Sequence, residues 1–375
     1  MRACRMAMVM LCFLLLSACV PAAEPQHVFI LPAAEAPGAW KPEWVPLSAG
    51  EIPYQYSNIV KGVDGARVWD MPDGIIMTAM GENNWYFGQY DKFTGRFETY
   101  CSVVACRHNH AECPVGDTRG LDERKGTVYV RRSTPIMRDT LRGPRPAAGN
   151  NRSNNWICKL SDGRAAAVAP AIGPAASFLC GENGFYIFRD AELLYLPYGA
   201  GKTVSLIENI TVHHPVIIGN WLYATDFKTI YRVNLAGPDY TPETLITDCP
   251  RFNTDGRHLY YAKDAALYRC ALDGTGAEII LSSGIDAMSL SFDEEHLYYI
   301  VPKASHAAHP NQSGIYRMPL DGSGNPALLL LTSMDIYEVF ALPTSPDALL
   351  VNAEYNYYFL PNTGGELVKI DAPYP

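Results

Sequence analysis

The residues of this chain whose types and spacing could do chemistry are concentrated between positions 101 and 113. The segment contains three cysteines, two histidines and a glutamate, at Cys101, Cys106, Cys113, His108, His110 and Glu112. Three thiolates and one imidazole form an accepted tetrahedral ligand set for zinc, although this spacing matches no zinc finger. Two thiols separated by four residues, Cys101 and Cys106, can instead form a disulfide in an oxidising compartment. We favour the disulfide and no bound cofactor, with a zinc site or free thiols as alternatives.

Histidines and carboxylates elsewhere offer a second kind of chemistry. Convergence of His213, His214, Asp226 and Asp255 on a central pocket would suit a hydrolase or lyase. The sequence contains no Gly-x-Ser-x-Gly elbow, no His-Glu-x-x-His, no P-loop and no dinucleotide fingerprint. Whether the protein is an enzyme therefore stays open, and we favour a non-catalytic protein with no assigned catalytic residue.

The N-terminus predicts export. Arg2 and Arg5 precede an apolar run of about eleven residues, which is too short to span a bilayer, and Leu16-Ser17-Ala18-Cys19 follows. Cysteine directly after Leu-Ser-Ala resembles the lipobox of bacterial lipoproteins. The resemblance implies cleavage before Cys19, lipidation of its thiol, and anchoring to the outer face of the bacterial cytoplasmic membrane.

Three regions follow from this reading. Residues 1–18 are a lipoprotein signal peptide, 19–53 a lipid-anchored, proline-rich linker, and 54–375 one folded domain. Seven prolines between positions 20 and 53 favour an extended stalk over a helix. The net charge of −9 argues against a nucleic-acid partner, which needs a basic protein surface. Residues 119–145 are nonetheless basic, and we interpret them as a solvated insertion loop, with contact to an anionic wall polymer or headgroup as the alternative.

The folded region repeats a short pattern of a turn followed by an apolar-Tyr-apolar strand. The repeated residues are Tyr86, Tyr129, Tyr186, Tyr223, Tyr260, Tyr298 and Leu350. Several partner strands lead into Asp-Gly turns, which are strong hairpin signals. A period near 37–45 residues with several short strands and no helical pattern is typical of β-propeller blades. The sequence predicts an all-β propeller of seven blades, with six or eight still open, since residues 54–80 could supply a closing strand.

The blade segments carry a family resemblance. LYYAKDAALYRCALDGTG and the segment from HLYYIV to IYRMPLDGSG resemble the YWTD- and TolB-like propeller superfamily. Across residues 54–371 the chain resembles uncharacterised propeller lipoproteins of Gram-positive gut bacteria, which tend to carry a Cys-x4-Cys-x-His element such as Cys101 to His108. The strict YWTD tetrad is absent, and Tyr223-Ala224-Thr225-Asp226 is the nearest match, so no receptor-type function is carried over.

Three functions are compatible with these sequence features. The favoured one is a cell-surface lipoprotein whose propeller is a non-catalytic scaffold that binds a glycan, an envelope polymer or a protein through loops at one end. Exposed tryptophans there would suit glycan or peptide stacking, with Trp69, Trp85, Trp156 and Trp221 as candidates, although we favour core packing between blades for any single one of them. The other two functions are a metal- or redox-responsive module around Cys101 to Cys113, and a hydrolase or lyase with a central pocket.

Overall fold

The computed structural model describes the chain between residues 59 and 370, with gaps. The described residues are 59–62, 65–71, 73–80, 85–102, 113, 115, 118–124, 127–135, 137–138, 145–146, 153–161, 164–169, 172–173, 177–189, 191–264, 266–282, 285, 290–342 and 344–370. Every regular element among them is a β-strand, so none of these segments is a helix that could cross a membrane. The predicted signal peptide 1–18, Cys19 and the linker 19–53 lie outside the described residues.

The described strands form seven sheets and one small hairpin. The first sheet contains β1 (Ile59–Gly62), β2 (Gly65–Asp70), β3 (Gly74–Met80), β4 (Trp85–Asp91) and β5 (Arg96–Thr99). The second contains β6 (Thr118–Arg124), β7 (Thr127–Pro135), β10 (Ser153–Ser161) and β11 (Arg164–Ala167), and the hairpin β8 (Met137–Arg138) and β9 (Arg145–Pro146) lies between β7 and β10 in sequence. The third contains β12 (Ser177–Cys180), β13 (Gly184–Arg189), β14 (Glu192–Pro197) and β15 (Val204–Glu208). The fourth contains β16 (His213–Ile218), β17 (Trp221–Thr225), β18 (Thr229–Asn234) and β19 (Glu243–Thr247).

The remaining three sheets follow the same plan. The fifth contains β20 (Phe252–Thr254), β21 (His258–Lys263), β22 (Ala266–Ala271) and β23 (Glu278–Leu281). The sixth contains β24 (Ser291–Phe292), β25 (His296–Val301), β26 (Ser313–Pro319) and β27 (Ala327–Thr332). The seventh contains β28 (Ile336–Ala341), β29 (Ala348–Ala353), β30 (Asn356–Pro361) and β31 (Val368–Lys369).

Each sheet is one blade of a ring. The paired strands are antiparallel, and in blades 2–7 their order across the sheet follows their order in the chain, from the inner to the outer strand. Inner strands of successive blades contact each other, as β6 does with β12 and β24 with β28. The ring closes where β28 of blade 7 contacts β1 of blade 1. The chain is a seven-bladed β-propeller, which confirms the fold and the count of seven.

The first blade departs from the predicted repeat. It has five strands, and the extra strand β1 lies inside the ring against β28 and β6. The other repeat residues lie on the second strand of a standard blade, but Tyr86 lies on β4, one strand later. The assignment of Tyr86 was wrong because the equivalent strand β3 carries Ile75, Ile76 and Met77 in place of a tyrosine. Residues 59–80 build blade 1 itself and do not complete blade 7.

The meander gives the ring two distinct ends. At one, here called the lower end, the turns join first to second and third to fourth strands. At the other, the upper end, turns join second to third strands and each blade connects to the next. Strand β1 is antiparallel to β2, with Ile59 opposite Trp69 and Gly62 opposite Gly65. Because β2 ends at the lower end, the chain enters the ring at the lower end.

The basic segment is not a single loop. Its residues form the paired strands β6 and β7 of blade 2 and the β8–β9 hairpin, and Arg132 donates to the carbonyl of Cys113 at 2.9 Å. The expectation of a solvated insertion loop was therefore wrong for the strand residues. It failed because alternating Val128 and Val130, which are buried, mark a strand within the basic run.

Apolar side chains fill the spaces between blades. The described buried residues form seven clusters, and each cluster joins two neighbouring blades. Strands therefore bury both faces, which explains why β29 is buried from Ala348 to Ala353 without alternation. The repeated tyrosines Tyr223, Tyr260 and Tyr298 are almost completely buried in these layers.

A repeated hydrogen bond joins consecutive blades at the lower end. Each buried tyrosine of blades 4–6 faces an arginine on the third strand, and that arginine donates to a backbone carbonyl in the turn of the next blade. The pairs are Arg232 with Leu272 (3.5 Å), Arg269 with Asp321 (3.2 Å), and Arg317 with Asn362 (3.0 Å). The Tyr-Arg and Leu-Asp-Gly elements of the sequence are thus two halves of one contact between blades.

The ring is closed at the lower end by a buried ion pair. Lys92 Nζ donates to Asp70 Oδ1 at 2.7 Å, to the carbonyl of Met71 at 2.7 Å and to Thr344 Oγ1 of blade 7 at 2.6 Å. The amide of Thr344 donates in turn to Asp70 Oδ2 at 2.7 Å. Burial raises the pKa of the Asp70 carboxyl and lowers that of the Lys92 ammonium, and the charge of each partner opposes that shift. We call Asp70, Lys92 and Thr344 the closing clasp.

Removing the ammonium of the clasp should destabilise the ring strongly. In Lys92→Met the Asp70 carboxylate stays buried without its counter-ion, and we expect the free energy of unfolding in urea to fall by about 3–5 kcal/mol. Because an unpaired buried carboxyl has a raised pKa, the deficit should shrink at acid pH, where the carboxyl is protonated. Lys303→Met is the matched control, since Lys303 and Asp335 form an ion pair at 2.8 Å that is largely exposed, and its loss should cost below about 1 kcal/mol. Equal losses in the two variants would contradict a special role for the clasp.

Candidate functional site

The long connections of the propeller are collected at its upper end. They are 100–117 between blades 1 and 2, 136–152 within blade 2, and 302–312 within blade 6. The longest lower-end connection, 235–242, is shorter than any of these. Binding residues are commonly carried by loops on a rigid scaffold, so the upper end is the candidate functional surface.

Blade 4 presents an aromatic pair on this surface. The register of β16 against β17 shifts between His213 and Val216, and this bulge places His213 against Phe227 of the next upper-end turn. The two rings stack with centroids 3.9 Å apart, and Phe227 is 46% exposed. Asp226 Oδ1 fixes the turn by accepting from the amides of Lys228 (2.8 Å) and Thr229 (2.7 Å). Phe227 has a φ of 69°, a conformation that bulky residues rarely adopt.

Blade 7 presents a second aromatic pair in the equivalent place. Tyr337 is the extra residue of a bulge between Ile336 and Glu338 on the inner strand. Its ring contacts that of Tyr355, with centroids 4.9 Å apart, and the two are 39% and 70% exposed. A hydrogen bond to Tyr355 raises the pKa of the Tyr337 hydroxyl.

The turn that carries Tyr355 is strained. Ala353 pairs with Asn356, which leaves a two-residue loop, and its residues Glu354 and Tyr355 have φ values of 47° and 62°. Such a loop requires positive φ at both positions and normally selects Asn-Gly. Glutamate and tyrosine in its place cost of order 1–3 kcal/mol each, and strain of this kind clusters at functional sites.

The two pairs share one design. In each pair, a bulge in the inner strand redirects an aromatic side chain at the upper end. The ring of a turn residue with positive φ in the same blade packs against that side chain. We call His213 with Phe227, and Tyr337 with Tyr355, the aromatic pairs. Pro215 in β16 was a sequence signal for the first bulge, because proline inside a strand marks an edge or a bulge.

The histidines of the blade 6 loop have a structural role. His306 is buried, its Nδ1 lies 2.8 Å from the carbonyl of Gln312, and its Nε2 lies 2.7 Å from the Tyr316 hydroxyl. His309 packs against it with ring centroids 5.0 Å apart. His306 therefore holds the loop 302–312 onto its blade.

The residues predicted for a catalytic pocket do not meet. His213, His214 and Asp226 lie at the upper end of blade 4, but Asp255 lies in a lower-end turn of blade 5. Asp255 there accepts from the amides of Arg257 (2.7 Å) and His258 (2.6 Å) and from the Tyr260 hydroxyl (2.9 Å). Burial opposes ionisation of Asp255, yet hydrogen bonds from the His258 side chain and the backbone amides hold its pKa below the usual value.

The cysteine cluster is described only in part. Cys106 and His108 lie outside the described residues, so the zinc and disulfide predictions for this segment stay predictions. Cys113 is buried in the layer between blades 1 and 2, and Cys101 lines an open groove of about 330 Å³ with Glu98 and Tyr100. Within the described part of the chain, no disulfide joins two cysteines and no group of three metal-ligating side chains occurs.

Three of the four candidate tryptophans pack between blades, as favoured for each of them from the sequence. Trp69 and Trp156 pack against the layer between blades 1 and 2, and Trp221 packs between blades 4 and 5 with the Arg232 guanidinium 4.2 Å from its ring centroid. The side chain of Trp85 lies outside the described part. Exposed rings among the described residues of the upper end include Phe227, Tyr337 and Tyr355.

Comparison with known proteins supports the fold. No protein-family model and no curated protein sequence matches this chain. It is similar to the crystal structure of an uncharacterised Listeria monocytogenes protein, with 11% identity and a TM-score of 0.51 over 85% of this chain and 97% of that one. A Niastella koreensis GH74 enzyme gives 10% identity and a TM-score of 0.53 over 86% of this chain and 54% of that one. These similarities show the fold alone.

A third solved structure is similar over part of the chain. The crystal structure of a nidogen/laminin complex matches with 17% identity and a TM-score of 0.35, over 51% of this chain and 76% of that one. The predicted likeness to lipoproteins of Gram-positive gut bacteria stays a prediction. In the nearest match to the YWTD tetrad, Thr225 and Asp226 shape the upper-end turn, since Thr225 Oγ1 also accepts from the Phe227 amide at 3.0 Å.

Relieving the strain at Tyr355 should stabilise the protein. The double variant Glu354→Asn, Tyr355→Gly supplies the residues that the turn prefers, and we expect the free energy of unfolding in urea to rise by about 1–2 kcal/mol. Phe93→Gly is the control, because Phe93 is 59% exposed but has no positive φ. Glycine there should lower stability by about 0.5–1 kcal/mol. A loss of stability in the double variant would contradict the strain at this turn.

Proposed function

We propose that the protein is a cell-surface lipoprotein whose propeller binds a partner in the cell envelope through its upper end, without catalysis. The observation that carries this proposal is the division between the two ends. Connections between blades and aromatic pairs enlarge the upper end, whereas the arginine contacts and the closing clasp occupy the lower end.

The path of the chain gives this division an orientation. The chain enters the ring through β1 at the lower end. A stalk of the kind predicted for residues 19–53 would then join the ring at that end. If Cys19 is lipidated, the lower end faces the membrane and the upper end faces away from it. The surface with long loops and exposed rings is then the surface that a partner meets first.

Lipidation of Cys19 can be tested directly. Cells fed an alkyne-bearing fatty acid should label the wild-type protein, which should sediment with membranes. Cys19→Ala should lose the label and the sedimentation, because the acceptor thiol is gone. Cys12→Ala is the matched control within the same signal segment and should keep both. Labelled Cys19→Ala protein would contradict the proposed anchor.

Binding through the upper end predicts a directional crosslinking pattern. A photo-reactive phenylalanine analogue placed at position 355 should crosslink the exported protein to a discrete envelope component in living cells. The same analogue at position 93, an exposed aromatic site at the lower end, should give no such product. Crosslinking from position 93 alone, or from neither position, would overturn the proposed function.

A further inference from the structure

The two aromatic pairs define a kind of ligand as well as a surface. Their rings stand on turns and bulges and are partly open to solvent, with Phe227 46% and Tyr355 70% exposed. Rings held in this way suit a ligand that itself has a flat, weakly polar face. Ala191 and Asp264 in the equivalent turns of blades 3 and 5 also have positive φ, so the exposed rings, and not the backbone alone, distinguish the turns of Phe227 and Tyr355.

The charges around the pairs narrow the ligand class. Beside Tyr337, the carboxylate of Asp335 is paired with Lys303 at 2.8 Å, and Glu354 is exposed. Beside Phe227, Asp226 holds its own turn and Lys228 is exposed. Acidic and basic groups are therefore mixed at both pairs, and the chain as a whole carries −9. Neither an anionic polymer nor a strongly cationic one finds a complementary field here.

The topology argues against an extended peptide. A peptide that binds as an added strand needs an unpaired strand edge. The outer strands that offer such edges, for example β19 and β31, lie on the circumference. The inner strands β16 and β28, on which the aromatic pairs begin, are also edges of their sheets, but they lie against the inner strands β12 and β24 of the neighbouring blades. Each pair is a stacking platform flanked by hydrogen-bonding side chains.

We propose that the aromatic pairs are two subsites for a neutral glycan, each stacking one pyranose ring on its exposed aromatic face. A pyranose ring has an apolar C–H face for stacking, and its hydroxyls both donate and accept hydrogen bonds, which fits the mixed carboxylate and ammonium groups at each pair. Blades 4 and 7 lie three positions apart in a ring of seven, so a single chain that reaches both subsites must be an oligosaccharide. This assignment rests on the proposed binding function of the upper end and names its ligand class.

The test is calorimetric titration of the full-length protein in detergent with defined probes. The neutral probes are hexasaccharides of β-linked glucose, mannose, xylose and N-acetylglucosamine, and the contrasting probes are a hexamer of galacturonate and a proline-rich peptide. We expect at least one neutral hexasaccharide to bind and both contrasting probes to fail. Tyr355→Ala and Phe227→Ala should each weaken binding about tenfold.

Two further variants separate stacking from folding and from general exposure. Tyr355→Phe keeps the ring and should keep most of the affinity, whereas Phe93→Ala removes an exposed lower-end ring and should change nothing. Urea unfolding of each variant checks that the propeller is intact. Binding of galacturonate or peptide instead of neutral probes, or an equal effect of Phe93→Ala, overturns the glycan assignment.

Failure of the glycan assignment can be told apart from failure of the proposed function. If no neutral probe binds but position 355 still crosslinks to an envelope component, the ligand class is wrong and the binding role of the upper end stands. If position 355 does not crosslink and no probe binds, both are wrong.

Discussion

The contact between blade 1 and blade 7 is the constraint on which the rest of this propeller depends. The other six interfaces join blades that follow each other in the chain, but this one brings together Asp70 and Thr344, which are 274 residues apart. No strand is shared across the closure in the described part, because β31 ends blade 7 and β1 to β5 build blade 1. An apolar layer that includes Val68, Met77 and Phe340 supplies the burial there. The closing clasp makes the contact between blades 1 and 7 specific, because a buried ion pair contributes little net stability but tolerates few alternative partners.

Closure also explains why the two ends of the ring differ. Each arginine contact spans from one blade to a turn of the next, and the clasp spans from blade 1 to blade 7, so the lower-end turns must keep the length and shape that place their carbonyls. An insertion there would separate donor from acceptor. The lengths of the upper-end connections are less constrained by contacts of this kind. The long upper-end connections are 100–117, 136–152 and 302–312. The long connections therefore lie at the end that carries neither the arginine contacts nor the closing clasp.

The sequence predicted those features of the fold that depend on short segments repeated in successive blades. The regular spacing of the tyrosines at 223, 260 and 298 indicates the second strand of each blade, which is buried in successive interblade layers. The Leu-Asp-Gly turns are recognisable because glycine accepts the positive φ that they require. The first blade was misplaced by one strand because β3 fills the same layer with isoleucine and methionine. The closing clasp could not be found, since nothing local links Lys92 to a threonine 252 residues away. The aromatic pairs were missed for a related reason: the bulge at Tyr337 and the left-handed turn at Tyr355 contradict local preference, and only the folded register reveals them.

Left-handed residues other than glycine also occur in the equivalent turns of blades 3 and 5, at Ala191 and Asp264. The turns of Phe227 and Tyr355 differ from these because they carry an exposed aromatic ring. The Asp-Gly turns at the lower end satisfy the backbone they occupy, but the upper-end turn of blade 7 places Glu354 and Tyr355 where Asn-Gly would be more stable. The ring tolerates this strain because the turn connects β29 and β30, two strands anchored in interblade layers on both faces. Its rigidity holds an exposed aromatic ring in one orientation, and a pre-oriented ring loses little conformational entropy when a ligand stacks on it.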